Sequence, residues 1–386
     1  MNTASACSID PLCKNHKYKR DSITAEFIKL SPDTLRQLRT VDERLVSYNV
    51  EMTEVTGGTF WKAYFPEEIA GTKPFEGPVG SLANHTAMAA LMQFYPPIDL
   101  KSEKLRKLAK DIGPAWVRVS GTWSTKTYYD FDGKMGGKSP EGYQNVLTRD
   151  QWLGVLDFCR DIGAKLMISV ANCAGLHSAD EPWNPSQAEQ IFALSKEYGV
   201  PIDAAEFMNE PNMLAMSGDT WASTYLDVLR TLNELGGFSA VTDGIIFHNT
   251  LASSDYGYLK PEVFDPRPNF FAVVLWNRLM GTTVYDAAEP IREGAHVYAH
   301  SRRDGKPGKA YLVINNSMTE TTTVELPGKA EIYQLTAETP RASVMQCNGK
   351  ALTLGEGYAL PAMDPVAAEG TLTLPALSCT FIVTEG

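Results

Sequence analysis

The sequence predicts an α/β protein: a (β/α)8-type barrel lacking several strands, followed by a C-terminal all-β sandwich. Three observations carry that expectation. From about residue 24 to 285, short apolar strands alternate with amphipathic helices, the pattern of βα units around a parallel sheet. After about residue 287 the text becomes short alternating strands between Gly, Pro and Asn turns, with no helix among them, as in a β-sandwich. No G-x-G-x-x-G or G-x-x-x-x-G-K-[ST] follows any strand, which favours a barrel over a doubly wound nucleotide-binding sheet.

Taken in order, residues 1–22 are polar and mixed and read as an N-terminal arm. They contain no apolar h-region, and no run reaches about eighteen apolar residues, so neither an export signal nor a membrane span is expected in the chain as given. A cytoplasmic protein and a mature secreted form would look alike here. "ITAEFIKL" (23–30) is assigned as an extra strand of the sandwich. The partial barrel occupies 40–286 and opens with the strand "RLVSYNVEM" (44–52). "KLRKLAKDIG" (104–113) places Leu105, Leu108 and Ile112 on one helical face, its lysines forming the solvated side. "AWVRVSG" (115–121) is again a strand.

The alternation then repeats. "RDQWLGVLDFCRDIG" (149–163) is a helix with Trp152, Leu153, Leu156 and Cys159 at helical spacing, stopped by Gly163. "KLMISVANCAG" (165–175) is a strand running into a loop. "NPSQAEQIFALSKEYG" (184–199) is a helix capped by Asn184, with Pro185 in its first turn and Gly199 as its stop. "IDAAEFMNEP" is a strand, "TWASTYLDVLRTLNELGG" (220–237) a helix and "GIIFHNTLASS" (244–254) a strand. The sandwich, 287–386, follows with "AHVYAHSRR", "KAYLVINNS", "TTTVELP", "AEIYQLT", "GTLTLP" and "CTFIVTE".

Composition narrows the function. Hydrophobic residues at 44% supply sizeable cores. A formal charge of -11 argues against nucleic-acid binding, which calls for a basic face. The six cysteines show neither C-x-x-C pairs nor zinc-ligand spacing and read as free thiols. No G-x-S-x-G or H-E-x-x-H occurs, so serine-hydrolase and zinc-hydrolase chemistry have no support. His248, inside an apolar strand, reads as a core residue. No metal or cofactor is expected.

The candidate chemistry lies at Asn209-Glu210-Pro211. A buried acid is costly unless paired, yet this apolar strand ends by presenting one. Strand ends of a βα barrel carry its active site, so Glu210 is read as an acid delivered to the barrel mouth, with Asn209 able to hydrogen-bond a sugar hydroxyl. A solvated loop acid is the plain alternative. In this setting "NEP" resembles the acid/base strand of the retaining glycosidases. "GPAWVRVSGTWSTKTYYD", "NPSQAEQIFALSKEYG", "EFMNEPN", "TLASSDYGYL", "MQCNGKALTL" and "LPALSCTFIV" fall in the order of the heparanase-like glycoside hydrolase family, which includes β-glucuronidases. The resemblance runs from about residue 23 to the end.

That resemblance implies Glu210 as general acid/base and Asn209 as its partner. It implies Glu51 as an acidic sugar-binding residue and Gly121 and Thr122 as a substrate loop. Ser254 and Tyr256 of "SSDYG" would hold a uronate carboxylate, making the ligand a glucuronide or another uronic-acid-containing glycan. The chain also departs from the family. Retaining hydrolysis needs a second carboxylate about 5–5.5 Å from the acid/base, and the family carries it on the seventh barrel strand. Here "NEPNMLAMSG" runs directly into "DTWASTYLDVL", the helix that would follow that strand. Only about five of the eight barrel strands can be read, and no nucleophile is identified. Asp243, Asp255 and Glu289 do not match the missing strand, Asp255 being the least implausible stand-in. Open sheet edges would favour association, although the sequence assigns no oligomeric state.

Overall fold

The computed structural model describes residues 26–73, 91–171, 173–176, 184–206, 245–248, 250–253, 257–287 and 295–386. It also describes the single positions 209, 228, 229, 232, 235 and 239. Two large sheets organise these residues. One is a five-stranded parallel sheet built from Val46–Glu51, Trp116–Ser120, Lys165–Ser169, Ala204–Glu206 and Ile246–His248. The first four strands neighbour one another in chain order, and the fifth returns to pair with the first, Ile246 opposite Val46 and His248 opposite Tyr48. Ala204–Glu206 and Ile246–His248 therefore stand at the two edges.

Helices between these strands form where the sequence supplies caps and an apolar stripe. Glu103–Ile112 starts at Ser102, whose Oγ accepts the Leu105 N–H (3.3 Å), and buries Leu105, Leu108 and Ile112. Arg149–Ile162 opens with a reciprocal cap between Thr148 and Gln151 and stops at Gly163 with φ 69°, a left-handed geometry that favours glycine. Ser186–Glu197 follows Asn184, whose Oδ1 accepts the Ser186 N–H (2.9 Å). The helical positions Val228, Leu229, Leu232 and Leu235 are all buried.

The second sheet is antiparallel and nine-stranded. Its main path runs through Ala330–Thr336, Ser378–Thr384, Lys309–Asn315, Ala295–Arg302, Met280–Asp286 and Arg36–Thr40. Met280–Asp286 precedes the change of texture at 287 but already pairs with both Ala295–Arg302 and Arg36–Thr40. A smaller sheet joins Glu26–Lys29, Thr322–Glu325 and Thr371–Leu374. Its Ile28, Val324 and Leu374 share a core with Ala299, Val313, Ile332 and Ile382 of the nine-stranded sheet. The opposite face sends Leu312, Ile314 and Phe381 into the core of the βα layer.

Pro268–Leu279 is the helix at that seam. Every residue from Pro268 to Trp276 is buried. It went unread in the sequence because a run that is apolar all round has no 3.6-residue contrast to detect.

Candidate functional site

The parallel sheet divides its side chains by strand alternation. Val46, Tyr48, Val50, Val117, Val119, Leu166 and Ile168 enter the core shared with the helices. The alternate positions Ser47, Asn49, Glu51, Arg118, Ser120, Ser169 and Glu206 therefore fall on the other face, together with Trp116, Met167 and Phe247; toward the C-terminal ends of the strands that face is polar. Glu51 lies opposite Ser120, and Glu206 opposite Ser169, in the strand register.

A continuous network joins that face. Arg118 donates through Nη1 to Asn49 Oδ1 (3.3 Å) and through Nη2 to Asn209 Oδ1 (3.0 Å). Nη2 also pairs with Glu206 Oε1, an ion pair whose side chains are only 16% and 27% exposed. Ser120 Oγ lies 3.0 Å from Asn209 Oδ1 and 3.1 Å from Glu206 Oε1, and Ser169 also donates to that carboxylate oxygen. Asn209 itself is buried, and its Nδ2 has no hydrogen-bond partner among the described residues.

Glu51 is held beside this network by backbone geometry. Gly121 follows Ser120 with φ 97°, and a Cβ there would come within 1.7 Å of Glu51 Oε2. Glycine is required twice over, for the conformation and for the carboxylate's approach. Thr122 is exposed, and its carbonyl accepts from Thr125 Oγ1 (2.9 Å). Three of the expected site residues, Glu51, Gly121 and Asn209, are thus gathered around Ser120. Glu210, Ser254 and Tyr256 lie outside the described residues, as do Asp243, Asp255 and Glu289.

Sequence reasoning missed Arg118, Ser120, Ser169 and Glu206. The available signal was "VRVS": a charged and a polar residue alternating with valines in a strand whose other face is core. Glu54 was also missed. It accepts the backbone N–H groups of Glu51 (2.6 Å) and Ala252 (3.2 Å). Burial pushes its carboxyl up to about 8; those N–H bonds oppose the shift, while the nearby Glu51 charge adds to it. A cavity of about 220 Å³ lies next to it, lined by Thr53, Phe60, Tyr95, Ser253 and Phe264. His248 stacks on Tyr258 (4.1 Å between ring centres) and contacts Asn269 Nδ2 (3.2 Å).

Among the described residues no group of three or more His, Cys, Asp or Glu side chains could hold a metal ion. Nor is any described helix long and apolar enough to cross a membrane. The site therefore offers a buried carboxylate, a fixed amide donor and an ion pair, a set suited to hydrogen-bonding a polyhydroxylated ligand.

No protein-family model matches the chain. It is 27% identical over 172 residues to baicalin-beta-D-glucuronidase of Scutellaria baicalensis, covering 42% of this chain and 32% of that protein. It is 25% identical over 246 residues to heparanase-like protein 1 of Arabidopsis thaliana, covering 52% and 45% respectively. The chain is thus similar in sequence to heparanase-like glycoside hydrolases. The matches span less than half the length of these two curated relatives. Among solved structures, the GH51 arabinofuranosidase of Xanthomonas axonopodis pv. citri superposes with a TM-score of 0.51 at 13% identity. It covers 93% of this chain and 100% of its own. A family 30 subfamily 8 xylanase of Clostridium acetobutylicum gives 0.50 at 10% identity, covering 93% and 99%. These are (β/α)8 glycoside hydrolases, and the likeness is one of fold.

Proposed function

We propose that this chain recognises β-linked glucuronides in the manner of the β-glucuronidase and heparanase-like enzymes, with hydrolysis impaired for want of a nucleophile. The reading is carried by Asn209. Its amide is held by Arg118 and Ser120 beside the Glu51–Gly121 contact, at the C-terminal ends of parallel strands, where a βα barrel has its active site. Glu210, the next residue, is the general acid/base, protonating the leaving oxygen and later activating water. Ser254 and Tyr256 hold the uronate carboxylate, and Thr122 borders the ligand. No cofactor takes part.

In this reading residues 40–286 are a barrel reduced to strands one to four and eight, an open sheet in which Ile246–His248 pairs with Val46–Glu51 and forms one of the two edges. Residues 287–386, with 23–30, are the sandwich, whose larger sheet also takes in Met280–Asp286 and Arg36–Thr40, and 1–22 are an arm. General acid catalysis alone contributes about 10²–10⁴-fold, well below what a stable glycosidic bond demands. The facing carboxylate that would meet the oxocarbenium-like transition state belongs to the absent seventh strand.

The test is nitrophenol release from nitrophenyl β-glucuronide by the purified chain and its Glu210→Gln variant. Slow or undetectable release by both is expected. Robust turnover abolished by the substitution would show that another carboxylate serves as nucleophile, and would overturn the impaired reading. The second reading, a non-catalytic glycan binder, gains from the same missing strands. It predicts that both proteins bind glucuronic acid equally well in calorimetry.

A further inference from the structure

The cavity of about 220 Å³ next to Glu54 is bounded by the short helix Met52–Thr56, the antiparallel pair Gly58–Trp61 and Met92–Tyr95, and the turn at 261–264. Phe60, Tyr95, Pro97, Ile98 and Phe264 give it apolar walls. Its volume exceeds the roughly 150 Å³ at which an apolar cavity accepts benzene, so it accommodates one substituted aromatic ring. Two polar groups interrupt the walls. Thr53 and Glu54 line the cavity and are only 3% and 4% exposed. Thr53 Oγ1 has no hydrogen-bond partner among the described residues, although a buried hydroxyl ordinarily has one. Glu54 accepts one backbone N–H on each oxygen, from Glu51 on Oε2 and from Ala252 on Oε1, and each oxygen keeps a second lone pair. Burial pushes its carboxyl up to about 8, so at neutral pH it also carries a proton to donate.

The walls are built in advance of any ligand. The Ile98 N–H donates to the Glu54 carbonyl (2.8 Å), and Lys104 Nζ holds the turn through the Val263 carbonyl (2.9 Å). Within that turn Glu262 and Phe264 take φ values of 64° and 53°, left-handed geometry that is strained for residues with a Cβ. Such strain clusters at ligand clamps, and here it belongs to a residue of the cavity wall. Asp99 and Glu262, both exposed, also border the cavity and disfavour an anion there.

We propose that this cavity is a binding site for a small neutral phenol, its ring against Phe60, Tyr95 and Phe264 and its hydroxyl shared between Thr53 Oγ1 and the Glu54 carboxyl. The phenolic oxygen accepts from one of these groups and its O–H is given to the other. The site stands independently of the glycan reading.

Calorimetry on the full chain at neutral pH compares phenol, toluene and benzoate. Phenol should bind with a Kd of about 1 mM or tighter. Toluene, similar in shape but without the hydroxyl, should bind about tenfold more weakly, and benzoate more weakly than phenol. Amide spectra should place the phenol-induced shifts at Glu54, Ile98 and Phe264. Thr53→Val, which keeps the side-chain shape, should reduce the preference for phenol over toluene below about threefold and leave toluene affinity unchanged. Its urea midpoint should equal or exceed that of the unmodified chain, because the hydroxyl removed has no partner to lose. A lower midpoint would show that hydroxyl bonded within the protein and overturn the proposal. So would equal weakening of both ligands by Thr53→Val, equal affinity for phenol and toluene, or a preference for benzoate. Shifts confined to other residues, or no binding at about ten times the expected Kd, would overturn it as well.

Discussion

The two large sheets differ in what they do with their second face. In the antiparallel sheet both faces are apolar. Along Lys309–Asn315, Ala310, Leu312 and Ile314 enter one core while Tyr311 and Val313 enter the other. The parallel sheet buries one apolar face and gives the C-terminal part of the other to Asn49, Glu51, Arg118, Ser120, Ser169 and Glu206. An intact barrel fills most of its interior with branched apolar layers, so this face forgoes hydrophobic stabilisation. The contrast teaches that the polar face depends on its apolar neighbour: one sheet supplies stability, and the other spends some of it on an oriented hydrogen-bond array.

The largest effect should come from the sheet with two cores. Phe381, fully buried in the Ser378–Thr384 strand, should cost about 3–5 kcal/mol on substitution by alanine. Ser120→Ala, at the centre of the polar array, should cost only about 1 kcal/mol. Urea titration of both variants measures the difference; equal losses would break the comparison.

Proton uptake separates the regions next. His300, in the antiparallel sheet, contacts Ser239 Oγ (3.1 Å) and the Gly281 carbonyl (2.7 Å). Burial pushes its pKa down from 6.5 to about 4. Between those values the folded state binds fewer protons than the unfolded chain, so stability is lost as pH falls through that window, by up to about 3 kcal/mol. Glu54, beside the parallel sheet, runs the other way. Its carboxyl is raised from 4.5 to about 8, the folded state binds more protons, and stability is lost as pH rises from 4.5 through 8. Denaturant midpoints from pH 4 to 9 should lose their acid slope in His300→Gln and their alkaline slope in Glu54→Gln. A slope that survives its own substitution assigns the effect to another group.

The smallest effect belongs to the exposed edge of the small sheet. Lys29 and Glu325 pair at 2.9 Å across parallel strands, but their side chains are 64% and 39% exposed. Lys29→Ala should change stability by less than about 0.5 kcal/mol. A larger loss in the same urea titration would mean that this edge contributes more than its exposure allows.

Much of this was legible from local pattern. The cap at Asn184, the stops at Gly163 and Gly199, and the valine alternation of "AWVRVSG" rest on near neighbours in the chain, so the sequence by itself determined where those strands and helices lie. It also determined the order of the parallel units and, through the family resemblance, singled out Glu51, Gly121 and Asn209, which meet around Ser120; Glu210 lies outside the described residues. Tertiary structure alone decided the rest. Arg118 and Glu206 are separated by 88 positions, and nothing local says that they pair or that Asn209 Oδ1 completes the set. Pro268–Leu279 was hidden because its contrast lies in what packs around it. The return of Ile246–His248 onto Val46–Glu51 likewise depends on a strand finding a partner some two hundred residues away. Periodicity records which face of an element is buried; which element buries it, and which polar groups meet there, is set only when distant strands come into register.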